Sequence, residues 1–120
     1  MNLIEKIRAA RQVNVEIDGN SFTVRRPTDM EMAKLKTDAV RQGFSDSDVL
    51  RKYVVDWHGV QEIHLIPGGS PVDVPFEADL FMEWVADKPE CWSPLVDAIL
   101  NAYRAHEEAR IELEKKTNAG

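Results

Sequence analysis

The chain has 120 residues, 43% of them hydrophobic, with 15 Lys/Arg against 21 Asp/Glu and a formal net charge of −6. That supplies enough apolar material for one core and too little chain for two domains. The single cysteine, Cys91, excludes an internal disulfide and fits a reducing cytoplasm; no apolar stretch approaches the roughly 20 residues that span a bilayer. Met1-Asn2-Leu3-Ile4-Glu5-Lys6 brings in charge too early for a signal peptide, so a cytoplasmic location is expected.

Residues 2–10 read as a short helix with Leu3, Ile4 and Ile7 on one side. Val13, Val15 and Ile17 then alternate with Asn14 and Glu16, Asp18-Gly19-Asn20 makes a tight turn, and Phe22 and Val24 resume the alternation. This predicts a β-hairpin with one apolar face, because side chains alternate across a strand and Gly supplies the positive φ the turn needs. Arg25-Arg26-Pro27 ends it, since proline has no N–H for the ladder.

Thr28 and Glu31 have capping-box spacing and predict a helix start, with Met32, Leu35 and Ala39 on its buried side and Gly43 at its end. Ser45 and Asp48 repeat the signal. In the helix that follows, Val49, Leu50, Tyr53, Val54 and Trp57 fall at i, i+1, i+4, i+5 and i+8, a helical stripe running to Trp57-His58-Gly59-Val60. Residues 60–76 read as a loop with a short strand at 63–66, since Pro67, Gly68, Gly69, Pro71 and Pro75 interrupt anything longer.

A further helix over about residues 77–87 places Leu80, Phe81, Trp84 and Val85 on one face, and Pro89 breaks it. Ser93 is a candidate cap and Pro94 suits the first turn of the last helix, whose stripe is Leu95, Val96, Ile99, Leu100 and Tyr103. Glu107 to Lys116 is mostly charge, and 117–120 is expected to fray. The fold class expected is α+β, mainly α: a small N-terminal β-hairpin packed with four to five helices. Residues 1–106 form a single globular domain, and 107–120 a charged C-terminal helix end or tail.

Candidate chemistry is sparse. His58, His64, His106 and Cys91 are the soft ligands available, and no two lie within the two-to-five-residue spacing of paired zinc ligands. Asp56 and His58 bring an acid near an imidazole, without a Ser or Cys nucleophile beside them in sequence. Ile66-Pro67-Gly68-Gly69-Ser70 lacks the GK[ST] of a phosphate loop and reads as a turn. The helices flanking Gln42-Gly43-Phe44-Ser45 have helix-turn-helix spacing with Arg51 and Lys52 on the second, but Asp46 and Asp48 occupy the turn that would meet bases. Acids there match the helix dipole of an ordinary αα-hairpin. Residues 61–120 carry five Lys/Arg against twelve Asp/Glu; such an acidic half repels phosphate backbones. No catalytic residue, cofactor or metal is expected, and neither nucleic acid nor membrane as a partner.

The three tryptophans, Trp57, Trp84 and Trp92, fall within one stretch that carries a resemblance. A hairpin ends in Arg26-Pro27-Thr28 and enters a helix; Trp57-x-Gly59-Val60 closes the next segment; Val74-Pro75-Phe76 with acidic residues opens another helix; Pro89-Glu90 punctuates it, and an amphipathic helix runs into a charged tail. In order and texture, over roughly residues 12–105, the chain resembles the tail assembly chaperones of long-tailed bacteriophages. The resemblance implies a non-catalytic protein of the host cytoplasm, absent from the mature virion, that binds the tape measure protein and helps the tail tube polymerise around it. Its implied partners are the tape measure protein, the tail tube protein, further copies in a weak homo-oligomer, and a longer form of itself made by frameshifting, for which Lys115-Lys116 would mark an A-rich slippery run. The partner-binding residues expected are Val15, Phe22 and Val24 of the hairpin, for self-association, and Trp57, Val60, Phe76 and Phe81. A small DNA-binding or regulatory helical protein, an enzyme using Asp56, His58 and Cys91, and a minor structural tail component are the alternatives.

Overall fold

Asp18 and Gly19 both adopt positive φ, 52° and 79°, the two-residue turn whose twist matches that of the strands it joins. In the computed structural model, which describes residues 1–43 and 45–119, this turn links β1 (Gln12–Ile17) to β2 (Asn20–Arg25), one residue tighter than expected. Before them lies α1 (Leu3–Ala10), capped by Asn2, whose side chain accepts from the Glu5 N–H.

The two caps read from the sequence are both present. Thr28 and Glu31 exchange reciprocal hydrogen bonds at the start of α2 (Asp29–Arg41), and Ser45 caps α3 (Asp46–Tyr53). On α2, Met32 is buried and Leu35 half-buried, but Ala39 faces solvent. Phe44, in the connection between the helices, lies outside the described residues, as does Gly120.

The largest departure from expectation comes next. The helix does not continue to Trp57: it stops at Tyr53, and Val54–His58 is a third strand, β3, antiparallel to β2 in the order β1-β2-β3. Val54 pairs with Val24 and Trp57 with Phe22, while the register shifts between Thr23 and Val24. On a regular strand, residues three apart face opposite sides; the irregularity at Val55 returns both Val54 and Trp57 to the core. A bulged strand thereby reproduces an i, i+3 apolar spacing, and adjacent β-branched Val54 and Val55 favour the extended form.

The segment after Gly59 also differs. The short strand expected at 63–66 is a helical turn, α4 (Glu62–Leu65), with the Gln61 N–H donating to His64 Nδ1. Backbone hydrogen bonds from Glu62 to Val72, Ile63 to Ser70 and Val74 to Val60 close residues 60–74 into a loop whose ends meet. Then follow α5 (Ala78–Ala86), a 3₁₀ turn at Pro89–Cys91 and α6 (Trp92–Ala119), which begins before Ser93, so that residue lies inside the helix rather than capping it. The helix runs unbroken past His106, the boundary expected for the tail, and on to Ala119, although Glu108 to Asn118 are all exposed.

The core fills the space between one face of the sheet and helices α3, α5 and α6. It gathers Phe22 and Val24, Leu50 and Tyr53, Phe81 and Val85, Leu95 and Ile99. The class is α+β, mainly α. Among the described residues no helix is long and apolar enough to cross a membrane.

Candidate functional site

Five of the seven residues expected to meet a partner are in the core. Phe22, Val24, Trp57, Val60 and Phe81 are each no more than 4% exposed, while Val15 and Phe76 are half-buried and pack against the same cluster. Aromatic packing is the physical reason. Trp57 meets Phe76, Phe81 and Trp84 edge-on at centroid distances of 5.6, 6.3 and 6.2 Å, and Phe22 meets Phe81 and Trp84 at 6.2 and 5.7 Å. Such rings contribute most when sealed from water. The Trp57-x-Gly59-Val60 and Val74-Pro75-Phe76 segments are thus two halves of one internal contact: the Val74 N–H donates to the Val60 carbonyl, 2.8 Å.

The apolar surface that remains outside is elsewhere. Leu3, Ile4 and Ile7 of α1 are 70%, 60% and 46% exposed, and α1 has no buried residue at all. Val13, on edge strand β1, lies exposed nearby in sequence, and Ile63, Ile66 and Val72 are exposed around α4. The α1 stripe is visible in the sequence, but periodicity does not distinguish a face turned to the core from one turned outward.

Candidate reactive groups are each engaged locally. His58 Nε2 lies 2.9 Å from Thr23 Oγ1, which donates to Asn14 Oδ1 at 2.8 Å if the imidazole nitrogen carries the other proton. Asp56 accepts from the N–H of Trp57, and His106 lies 3.3 Å from Asp29. Burial first, then the charges of Glu90 and Asp18, push the Cys91 thiol up, away from the thiolate that would attack or ligate. Asp18, Glu90 and Cys91 form the only group of three or more His, Cys, Asp or Glu side chains close enough to share an ion among the described residues. Its two carboxylates are exposed, a common arrangement without a metal.

Polar anchoring concentrates at the starts of α2 and the middle of α6. Glu31 accepts both Nη atoms of Arg25 at 2.9 and 3.1 Å, the Thr28 N–H at 3.0 Å and Lys52 Nζ at 3.2 Å. The Arg25 guanidinium holds its carboxyl well below the usual carboxylate range against the opposing effect of burial, helped by Thr28 and Lys52. Arg25 also lies over the Tyr53 ring, 4.6 Å from its centroid; burial, with the Glu31 charge, pushes that phenol up to about 12. Asp29 binds the Tyr103 hydroxyl at 2.8 Å and Arg110 at 2.6 Å, tying α6 to α2. Asp46 and Asp48 stand in the first turn of α3, where carboxylates match the helix dipole.

The fold and its surfaces thus define a small, mainly helical α+β domain in which Phe22, Trp57, Phe81 and Trp84 build the interior and the N-terminal helix contributes no buried residue. Comparison with protein-family models, with curated proteins and with solved structures finds no match for the chain.

Proposed function

We propose that the protein is a non-catalytic tail assembly chaperone, acting in the host cytoplasm, that binds a tape measure protein and promotes assembly of the tail tube around it. The observation that carries this reading is α1, an amphipathic helix whose apolar side, Leu3, Ile4 and Ile7, contributes nothing to the core. Such a stripe suits an apolar helix of a partner, and a long helical tape measure chain offers many. Each copy then binds weakly, and many copies along one chain bind it firmly. The order of segments from Arg26-Pro27-Thr28 to the charged end of α6 supports the same reading. The contact surface in this proposal is α1 with Val13, in place of the buried Phe22, Val24, Trp57, Val60 and Phe81.

Co-expression with the tape measure protein of the same genome tests it. The two should co-purify, and the tape measure chain should be more soluble with the chaperone than without it. Absence of both effects rejects the proposal. Recovery of the protein in purified tails would instead favour a structural tail component.

A further inference from the structure

The chain carries net negative charge, yet Arg8, Arg11 and Arg25 gather around a single glutamate. A cavity of about 420 Å³ lies between the end of α1, the start of β1 and the start of α2, lined by Arg8, Arg11, Gln12, Arg25, Thr28 and Glu31. Glu31 is its one acid, and the four contacts already described, two from Arg25 and one each from Thr28 and Lys52, use its acceptor sites. Arg8 and Arg11 have no acidic partner within 4 Å among the described residues.

The Arg11 carbonyl accepts from the Arg26 N–H at 2.9 Å, extending the β1–β2 register by one pair and setting two arginines directly opposite. Like charges so placed repel. Desolvation first, then the charge of Arg11, lower the affinity of Arg26 for its proton, with Asp29 opposing them. Arg11 Nε is also buried with no hydrogen-bond partner among the described residues, an expensive state for a charged donor. The C-terminal dipole of α1 favours one basic side chain in its last turn; it does not account for a second arginine facing a third across the sheet.

We propose that the cavity bordered by Arg8, Arg11 and Arg25 is a binding site for a small oxyanion, a phosphate group or a carboxylate, held by the guanidinium donors of Arg8 and Arg11. Guanidinium forks match the planar or tetrahedral oxygens of such groups, and Arg8 and Arg11 are the lining arginines without a carboxylate partner among the described residues. The site does not depend on the chaperone reading: its ligand is an anion, whereas α1 presents an apolar side to a helix.

Thermal unfolding of the full chain in inorganic phosphate, against chloride at matched ionic strength, tests this. Phosphate should raise the Tm of the unaltered protein and of the control Arg41→Met, by roughly 8 °C or more at a hundred times Kd. Arg8→Met and Arg11→Met should abolish the difference, and Arg11→Met should melt higher than the parent in chloride. Should Arg11→Met fail to fold, Arg8→Met, on an exposed residue, still decides: line broadening of the phosphate ³¹P resonance by the parent should vanish with that variant. An acetylated Glu-Glu peptide in place of phosphate distinguishes the sources; a larger shift with the peptide assigns the site to a partner's carboxylates, and a larger shift with phosphate to a phosphorylated ligand. No shift with either anion, or equal shifts in the parent and both variants, overturns the proposal.

Discussion

The indole N–H of Trp57 donates to the backbone carbonyl of Val74, 2.8 Å away and seventeen residues later in the chain. That bond fastens the last strand of the sheet to the segment that leads into α5. The loop from Val60 to Val74 is otherwise held by its backbone hydrogen bonds, by the Ser70 N–H donating to Glu62, and by Leu65 and Val74 packed on the core.

Trp57→Phe keeps an aromatic ring in the cluster but orphans the Val74 carbonyl. It should cost about 1–3 kcal/mol, and Trp57→Ala about 3–5 kcal/mol through the cavity it adds. Urea unfolding followed by circular dichroism measures both. Equal losses for the two variants would show that the hydrogen bond, rather than ring packing, dominates at this position.

Gly59 has φ of +76°, and a Cβ there would meet no atom within 4 Å. The cost of Gly59→Ala is therefore conformational, about 1–2 kcal/mol for forcing an L side chain into the left-handed region. A melting experiment in which this variant equals the parent would contradict the backbone geometry after β3.

Glu31 makes stability depend on pH. Its folded pKa lies below the unfolded value, so its contribution is complete above about pH 4.3, the unfolded glutamate value, and declines as pH falls toward the folded pKa. Glu31→Gln should lose about 1–2 kcal/mol at pH 7 and flatten the decline in stability below pH 4. Denaturant midpoints of parent and variant from pH 7 to pH 2.5 follow this; parallel curves throughout would exclude Glu31 as a source of the acid sensitivity.

Ile4→Ser with Ile7→Ser removes apolar surface that the core does not use. The stability change should stay within about 0.5 kcal/mol, while co-purification with the tape measure protein falls to background. A variant that binds as well as the parent would move the contact away from α1.

Much of the architecture was legible because it rests on short-range chemistry. Asp18-Gly19 specifies its turn through backbone sterics alone, and the Thr28–Glu31 and Ser45–Asp48 pairs satisfy orphan amide groups within one helical turn. The stripes of α5 and α6 show period 3.6 uninterrupted. Trp57 and Val54 were misleading for a definite reason: a bulge in β3 gives a strand the apolar spacing of a helix.

The exposed or buried fate of each apolar side chain belonged to the tertiary structure. Leu3, Ile4 and Ile7 form as regular a stripe as Leu95 and Ile99, yet one faces out and the other lies at the centre. Nor does spacing along the chain disclose that Arg8, Arg11 and Arg25 border one cavity with its single glutamate already engaged. Local backbone preference acts between neighbours and is written in the order of residues. Burial and charge balance are sums over segments brought together from remote positions, and the packing of the sheet against α3, α5 and α6 determines which of them meet.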